Sequence, residues 1–264
     1  MTLTFNEFKD SAAKLLNLNL DGYKIKRVKR RTDSLMRRHS IKNYDECLDL
    51  IQNNPEFKAA YLDHFTINTS EFFRNPKNFT HLQETILPEI FEKNEEKVNI
   101  WSAPCSNGSE PYTLAIILEE IKIPGSRYNI LASDIDPDIL NTAKKGIYGS
   151  NSLKNVPDHI LRKYFTTKTG QDNKYKINNK IINKVKFEKT DLINDRYQTN
   201  WDIILSRNFF IYLTKELKDN LTEKFVKALK TDGYLFLGNT EFIFNPEKFG
   251  LNKESLSFYR KIKY

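Results

Sequence analysis

The run Val98-Asn99-Ile100-Trp101-Ser102-Ala103-Pro104-Cys105-Ser106-Asn107-Gly108-Ser109-Glu110-Pro111-Tyr112-Thr113 decides the fold. Val98 to Trp101 read as a short strand, and Ser102 to Gly108 are small or turn-forming. Ser109-Glu110-Pro111 then opens a helix, where Pro111 suits the first helical position because its missing N–H has no partner there. A strand, a tight loop and a helix in that order make a nucleotide-sized cofactor site in an α/β protein. Small side chains let a ligand approach the backbone, and the N–H groups of the first helical turn face it.

Outward from this run the α/β alternation continues. Leu114, Ile117, Leu118 and Ile121 share a helical face, and Tyr128 to Asp134 form a second strand. The strand-to-strand spacing of about 30 residues is what a βαβ crossover requires. Ile139, Leu140 and Ala143 begin the next helix, while upstream Phe79, Leu82, Ile86, Leu87 and Ile90 mark a covering helix. Trp201 to Ser206 is a buried-type strand. The helix from Lys215, capped by Thr214, carries Leu217, Leu221, Phe225, Ala228 and Leu229 and stops at Asp232-Gly233. Tyr234 to Gly238 and Leu256 to Arg260 are expected to pair antiparallel at the end of the sheet. Tyr164 to Thr190 breaks the rhythm: Tyr175 and Ile177, then Val185 and Phe187, alternate with polar residues around Gly170–Asn173 and Asn178-Asn179. That pattern predicts an inserted antiparallel ribbon.

The residues before this α/β part read differently. Thr4 to Ile67 has almost no glycine, and Phe5, Phe8, Ala12, Leu15 and Leu16, like Tyr44, Cys47, Leu48 and Ile51, recur at helical spacing. Between them Lys24, Lys26, Arg27, Lys29, Arg30, Arg31, Arg37, Arg38 and Lys42 face a single acid, Asp33. On a helix Arg27, Arg31, Ser34 and Arg38 share one face, with Ile25, Val28, Leu35 and Met36 opposite. A solvated face is the ordinary reading of a charge run, but such faces mix signs, so an acidic partner stands beside it as an equal expectation. Asn68-Thr69-Ser70-Glu71-Phe72-Phe73-Arg74-Asn75-Pro76 forms the junction between the two parts.

Composition narrows the classes. A net charge of +8 favours an acidic partner of some kind. No apolar run approaches the roughly 20 residues a membrane helix needs, and the first residues lack the order of a signal peptide, so a cytoplasmic protein without membrane insertion is expected. Cys47 and Cys105 are far apart without CxxC spacing and the four His form no cluster, so no metal is expected.

The loop itself selects among cofactors. A dinucleotide would need GxGxxG for its pyrophosphate, and this loop has only Gly108; no GxxxxGK[ST] occurs either. S-adenosylmethionine carries no phosphate and fits a loop that wraps a nucleoside and an amino acid. Asp134 or Asp136, at the end of the second strand, is placed to accept hydrogen bonds from the ribose hydroxyls, although capping or turn-making also suits such an Asp. Glu110 can contact the cofactor's ammonium or simply favour the helix N-terminus.

Four ordered motifs now carry a family resemblance. Asn68–Arg74, Trp101–Tyr112, Ala132-Ser133-Asp134-Ile135-Asp136 and Ser206-Arg207-Asn208-Phe209-Phe210-Ile211-Tyr212 resemble the successive motifs of the CheR family, the chemotaxis receptor glutamate O-methyltransferases. The likeness runs from the basic helix to Phe258-Tyr259-Arg260. It departs where the family commonly has Thr and Glu at Asn107 and Ser109, and Ala or Gly at Pro104.

The resemblance implies a helical N-terminal domain over residues 1–75. It further implies a doubly wound, Rossmann-like S-adenosylmethionine methyltransferase domain over 76–264, with an antiparallel β-subdomain at 164–190. Implied cofactor contacts are Asn68, Ser70, Arg74, Glu110, Asp134, Asp191, Leu192, Ser206 and Arg207, and Arg74 and Tyr212 would face the substrate glutamate. Arg27, Arg31, Arg37 and Arg38 would dock on the cytoplasmic domain of a chemotaxis receptor, with the enzyme a monomer and nucleic acid not its substrate. The family's β-subdomain binds a receptor tether in some members; Thr169 to Asn173 lacks a Gly-Pro turn, which points away from tether binding here. Enzymes that methylate exocyclic amines of nucleic acids place Asn or Asp before Pro-Pro-Tyr after the fourth strand, where this chain has Ser206-Arg207-Asn208-Phe209. A nucleic-acid methyltransferase and a non-catalytic cofactor-sensing module are the alternatives from other classes.

Overall fold

The computed structural model describes residues 2–16, 18, 20–65, 70–167 and 173–262. By compactness they divide into two units, 1–68 with 212–218, and 69–211 with 219–264.

The smaller unit is built on four helices, α1 (Phe5–Leu16), α2 (Ile25–Arg38), α3 (Tyr44–Asn53) and α4 (Pro55–Phe65). The starts of α1 and α3 are capped locally. Thr4 and Glu7 bond reciprocally, and Asn43 accepts the Glu46 N–H at 2.9 Å. Phe8, Ala12, Leu35, Met36, Cys47, Ile51, Phe57 and Tyr61 close the core, with the hydroxyls of Thr32 and Tyr61 paired inside it at 2.8 Å. The buried stripe of α2 is Val28, Thr32, Leu35 and Met36. Ile25, expected on that stripe, is 47% exposed at the first residue of the helix.

The larger unit contains α5 (Pro76–His81) and α6 (Leu87–Lys93), joined by a π-helical turn, then β1 (Val98–Ser102), α7 (Ser109–Glu120), β2 (Tyr128–Asp134) and α8 (Pro137–Lys145). There follow β3 (Ile147–Gly149), α9 (Ser150–Leu153), α10 (Asp158–Tyr164), β4 (Phe165–Thr167), β5 (Lys174–Ile177) and α11 (Asn179–Ile182). The chain ends with β6 (Val185–Lys189), β7 (Trp201–Ser206), α12 (Lys215–Ala228), β8 (Leu229–Leu237), β9 (Leu251–Lys253) and β10 (Phe258–Lys261). The main sheet has the order β6-β2-β1-β7-β8-β10-β9. Its first five strands are parallel, and β10 and β9 finish it antiparallel as the late-strand pattern predicts. Chain order reverses between β1 and β7, so their carboxyl ends form the switch-point crevice where α/β proteins bind ligands.

Two expectations are corrected here. Val185 to Lys189 does not belong to the inserted ribbon. It pairs parallel with β2 as the edge of the main sheet, and the small antiparallel sheet is β3-β5-β4. A one-sided edge strand alternates apolar and polar residues just as a ribbon does, so periodicity could not separate them. Phe72 is fully buried and stands edge-on to Tyr148 and Phe165 at 4.8 and 5.1 Å. The loop from Thr169 lies, apart from Asn173, outside the described residues. Helix α12 is shorter than expected, because Leu229 already pairs with Trp201 as the start of β8.

Candidate active site

The loop after β1 is shaped by short-range bonds. Gly108 caps α7 with φ +83°, and a Cβ there would lie 2.9 Å from Ala143 Cβ. This glycine therefore serves close packing against α8 rather than ligand approach. Asn107 Oδ1 accepts both the N–H and the hydroxyl of Ser109, at 3.1 and 2.7 Å. Two of the three departures from the family pattern thus pair with each other. Pro111 is the third residue of α7, still within the turn whose N–H groups lack helical partners.

Asp134 closes this loop from the neighbouring strand. Its Oδ2 accepts the Ser106 N–H at 2.9 Å and its Oδ1 the Asp136 N–H at 3.2 Å. Burial pushes its carboxyl up to about 6, against the opposing pull of those backbone donors. Asp136 is committed to capping α8, accepting from Asp138 and Ile139. Both oxygens of Asp134 thus accept one backbone N–H each, a carboxylate oxygen having room for a second donor, whereas the Asp136 bonds fall on Oδ1 alone.

A second cluster joins the switch-point strands. Ser102, at the end of β1, donates its hydroxyl to Glu110 Oε1 at 2.8 Å, and Arg207, just past β7, donates to Glu110 Oε2 at 3.2 Å. The other terminal nitrogen of Arg207 donates to the Arg74 carbonyl at 2.7 Å and to Asn75 Oδ1 at 2.9 Å. Phe79 and Phe236 flank this guanidinium, 5.0 and 4.7 Å from its carbon. Burial raises the Glu110 carboxyl while Arg207, Ser102 and Arg74 oppose it; burial lowers Arg207 while Glu110 opposes that. The Arg74 side chain is half-buried and its charge is felt by both Glu110 and Arg207. Phe73 and Asn75, on either side of it, hold left-handed backbone with φ +51° and +61°.

The remaining predicted residues fall around these clusters or apart from them. The Ser70 carbonyl accepts from Asn107 Nδ2 at 3.3 Å. Ser206 is buried at the end of β7. Asp191 makes a turn, accepting from Ile193 and Asn194, and the Leu192 carbonyl accepts from Lys224 at 2.9 Å. That turn is tied to the β2 end by the Thr190 N–H on the Asp134 carbonyl at 3.0 Å. Asn68 lies outside the described residues. In the smaller unit Tyr212 and Arg27 come together, the guanidinium 5.1 Å from the ring centroid. Arg31 is half-buried, and Arg37 and Arg38 are exposed. Asn75 and Glu241 were missed by sequence reasoning, and no local pattern marks either.

The family model described as CheR methyltransferase, SAM binding domain, matches residues 68–257, and that described as CheR methyltransferase, all-alpha domain, matches 3–66. The chain belongs to the CheR methyltransferase family. A chemotaxis protein methyltransferase of Listeria monocytogenes is 33% identical over 246 residues, 93% of this chain and 92% of the relative. That of Borreliella burgdorferi is 33% identical over 260 residues, 91% of each chain, and that of Escherichia coli 31% over 222, 81% of this chain and 74% of the relative. The enzyme is thus an S-adenosylmethionine-dependent methyltransferase. Its own residues fit that cofactor. At the switch point of this CheR protein, Ser106 Oγ, Ser206 Oγ and Arg207 Nε are buried without a hydrogen-bond partner among the described residues. With Asp134 they make two hydroxyls, one guanidinium N–H and one carboxylate, a mixed set that suits the hydroxyls and the charged amino-acid end of that cofactor. Among the described residues no helix is long and apolar enough to cross a membrane.

Proposed function

We propose that this CheR methyltransferase transfers the methyl group of S-adenosylmethionine to glutamate side-chain carboxylates in the cytoplasmic domains of chemotaxis receptors, giving methyl esters. The observation that carries the reading is Arg74: a half-buried cation on a left-handed turn, beside an Arg207 whose terminal nitrogens are engaged by protein groups. The names of the curated relatives, chemotaxis protein methyltransferases, supply the receptor.

Bound S-adenosylmethionine supplies a methyl group on a positively charged sulfur. Asp134 accepts the ribose hydroxyls, Glu110 faces the ammonium, and Asn68, Ser70, Arg74, Asp191, Leu192, Ser206 and Arg207 complete the cofactor site. A glutamate side chain, with an ordinary pKa of about 4.3, is already ionised at neutral pH and needs no general base. Alignment is then the main demand, and it is worth roughly 7 to 11 kcal/mol in well-oriented systems. Arg74 holds one carboxylate oxygen while the other attacks, and Tyr212 fixes the approach by hydrogen bonding. Helix α2 docks through Arg27, Arg31, Arg37 and Arg38 on an acidic helical stalk, the enzyme acting as a cytoplasmic monomer of two domains. Transfer of label from tritiated S-adenosylmethionine to a receptor cytoplasmic fragment tests the reading, with base-labile methanol release as the expected result. Stable label in nucleic acid, or binding without transfer, would overturn it.

A further inference from the structure

We propose that Glu241 is a positioning residue that fixes the loop Arg207–Ile211, and through it the approach of the substrate carboxylate; this rests on the carboxylate methyltransferase reading above. Glu241 is 4% exposed, yet every hydrogen bond it receives comes from backbone. Its Oε2 accepts the N–H groups of Asn208 and Gly238, both at 2.7 Å, and its Oε1 accepts that of Ile211 at 3.2 Å. The acid therefore grips both ends of the loop that begins with Arg207 and leads in the chain to Tyr212. An ionised carboxylate can accept from three donors and carries no donor of its own.

Two features show that the chain is built around this carboxylate. A Cβ on Gly238 would lie 2.6 Å from Glu241 Oε2 and 3.1 Å from the Asn208 nitrogen, so only glycine admits the grip. Asn208 holds φ +60°, the left-handed conformation that aims its N–H at the acid. The segment carrying Glu241 is itself anchored: Ile243 is buried and donates its N–H to the Tyr259 hydroxyl at 3.2 Å, while Phe242 and Phe244 face outward. The Glu241 charge is also felt by Arg207, which links the grip to the Glu110 cluster.

Glu241→Gln keeps the shape but exchanges one acceptor for a donor. In full-length enzyme, kcat for methylation of a receptor fragment is expected to fall at least about tenfold, as lost alignment predicts. The KM for S-adenosylmethionine and the Kd of S-adenosylhomocysteine should stay within about threefold, because Asp134 and Glu110 stand on other elements, β2 and α7. Amide exchange at Asn208 and Ile211 should accelerate at least about tenfold. Gly238→Ala, which displaces the carboxylate without removing it, should reproduce this pattern and serves if Glu241→Gln fails to fold. A kcat within twofold of wild type, or kcat and cofactor affinity falling together with the folded fraction, would overturn the proposal. If the wild-type enzyme methylates no receptor fragment, the substrate reading fails instead. Amide exchange then still decides Glu241, and unchanged rates at Asn208 and Ile211 would sink the role.

Discussion

The loops after β1 and after β7 stand side by side at the switch point and are held in opposite ways. The first takes its shape from neighbours in the chain, Gly108 turning it and Asn107 and Ser109 bonding to each other, and only its closure by Asp134, 28 positions on, comes from another strand. The second, Arg207–Ile211, is set by residues far away, with Glu110, Asn75 and Glu241 gripping it from 97, 132 and 30 or more positions off. A loop built locally announces itself in sequence. A loop held by distant partners shows only an arginine and an aromatic run, and its shape emerges when the sheet forms.

The contrast can be broken most sharply at its one cross-link. Glu110→Gln should leave the Arg207 cation buried between Phe79 and Phe236 without its counter-charge, costing about 3 kcal/mol in urea unfolding. A loss below about 1 kcal/mol would show that the distant grip on the second loop does not depend on this pair. Gly108→Ala attacks the local loop alone. Its left-handed φ and the 2.9 Å approach to Ala143 predict a loss of about 2 kcal/mol, with the Arg207 cluster intact.

Asp134 offers a subtler, pH-dependent test. Its folded pKa, near 6, lies above that of an unfolded aspartate. Its contribution to stability is therefore greatest below about pH 4 and is lost as pH rises through about 6. Hydrogen bonds from ribose hydroxyls favour the charged form, so S-adenosylhomocysteine should bind about tenfold tighter at pH 7 than at pH 5 by calorimetry. In Asp134→Asn that pH dependence should disappear; its persistence would move the ribose contact elsewhere. The smallest effect is expected away from both loops. Replacing Arg31, Arg37 and Arg38 together by Gln should leave kcat within about twofold but flatten the salt dependence of KM for the receptor fragment. An unchanged salt dependence would remove the docking role from α2.

The same division explains what could be read before the structure. Strands β1, β2 and β7, the α7 start, Asp134 and Glu110 follow from patterns within a few residues, and the family motifs added Arg74 and Tyr212. The edge strand Val185–Lys189 was misplaced because alternation reports one-sided burial and not the direction of pairing. Asn75 escaped because its bond to Arg207 spans the junction and β7, and Glu241 because its partners are backbone groups with no sequence signature. Of Phe72 the sequence shows only an aromatic in the junction, and its contacts with Tyr148 and Phe165 show which core it joins.

The central claim is that the acceptor is a carboxylate methylated by alignment alone. The direct measurement is the single-turnover rate of methyl transfer to a receptor cytoplasmic fragment between about pH 7 and pH 9, above the Asp134 titration and with every glutamate ionised. The account predicts a rate that stays flat across that range. A rate climbing about tenfold per pH unit would mean that a proton must leave the acceptor before transfer, and would contradict it.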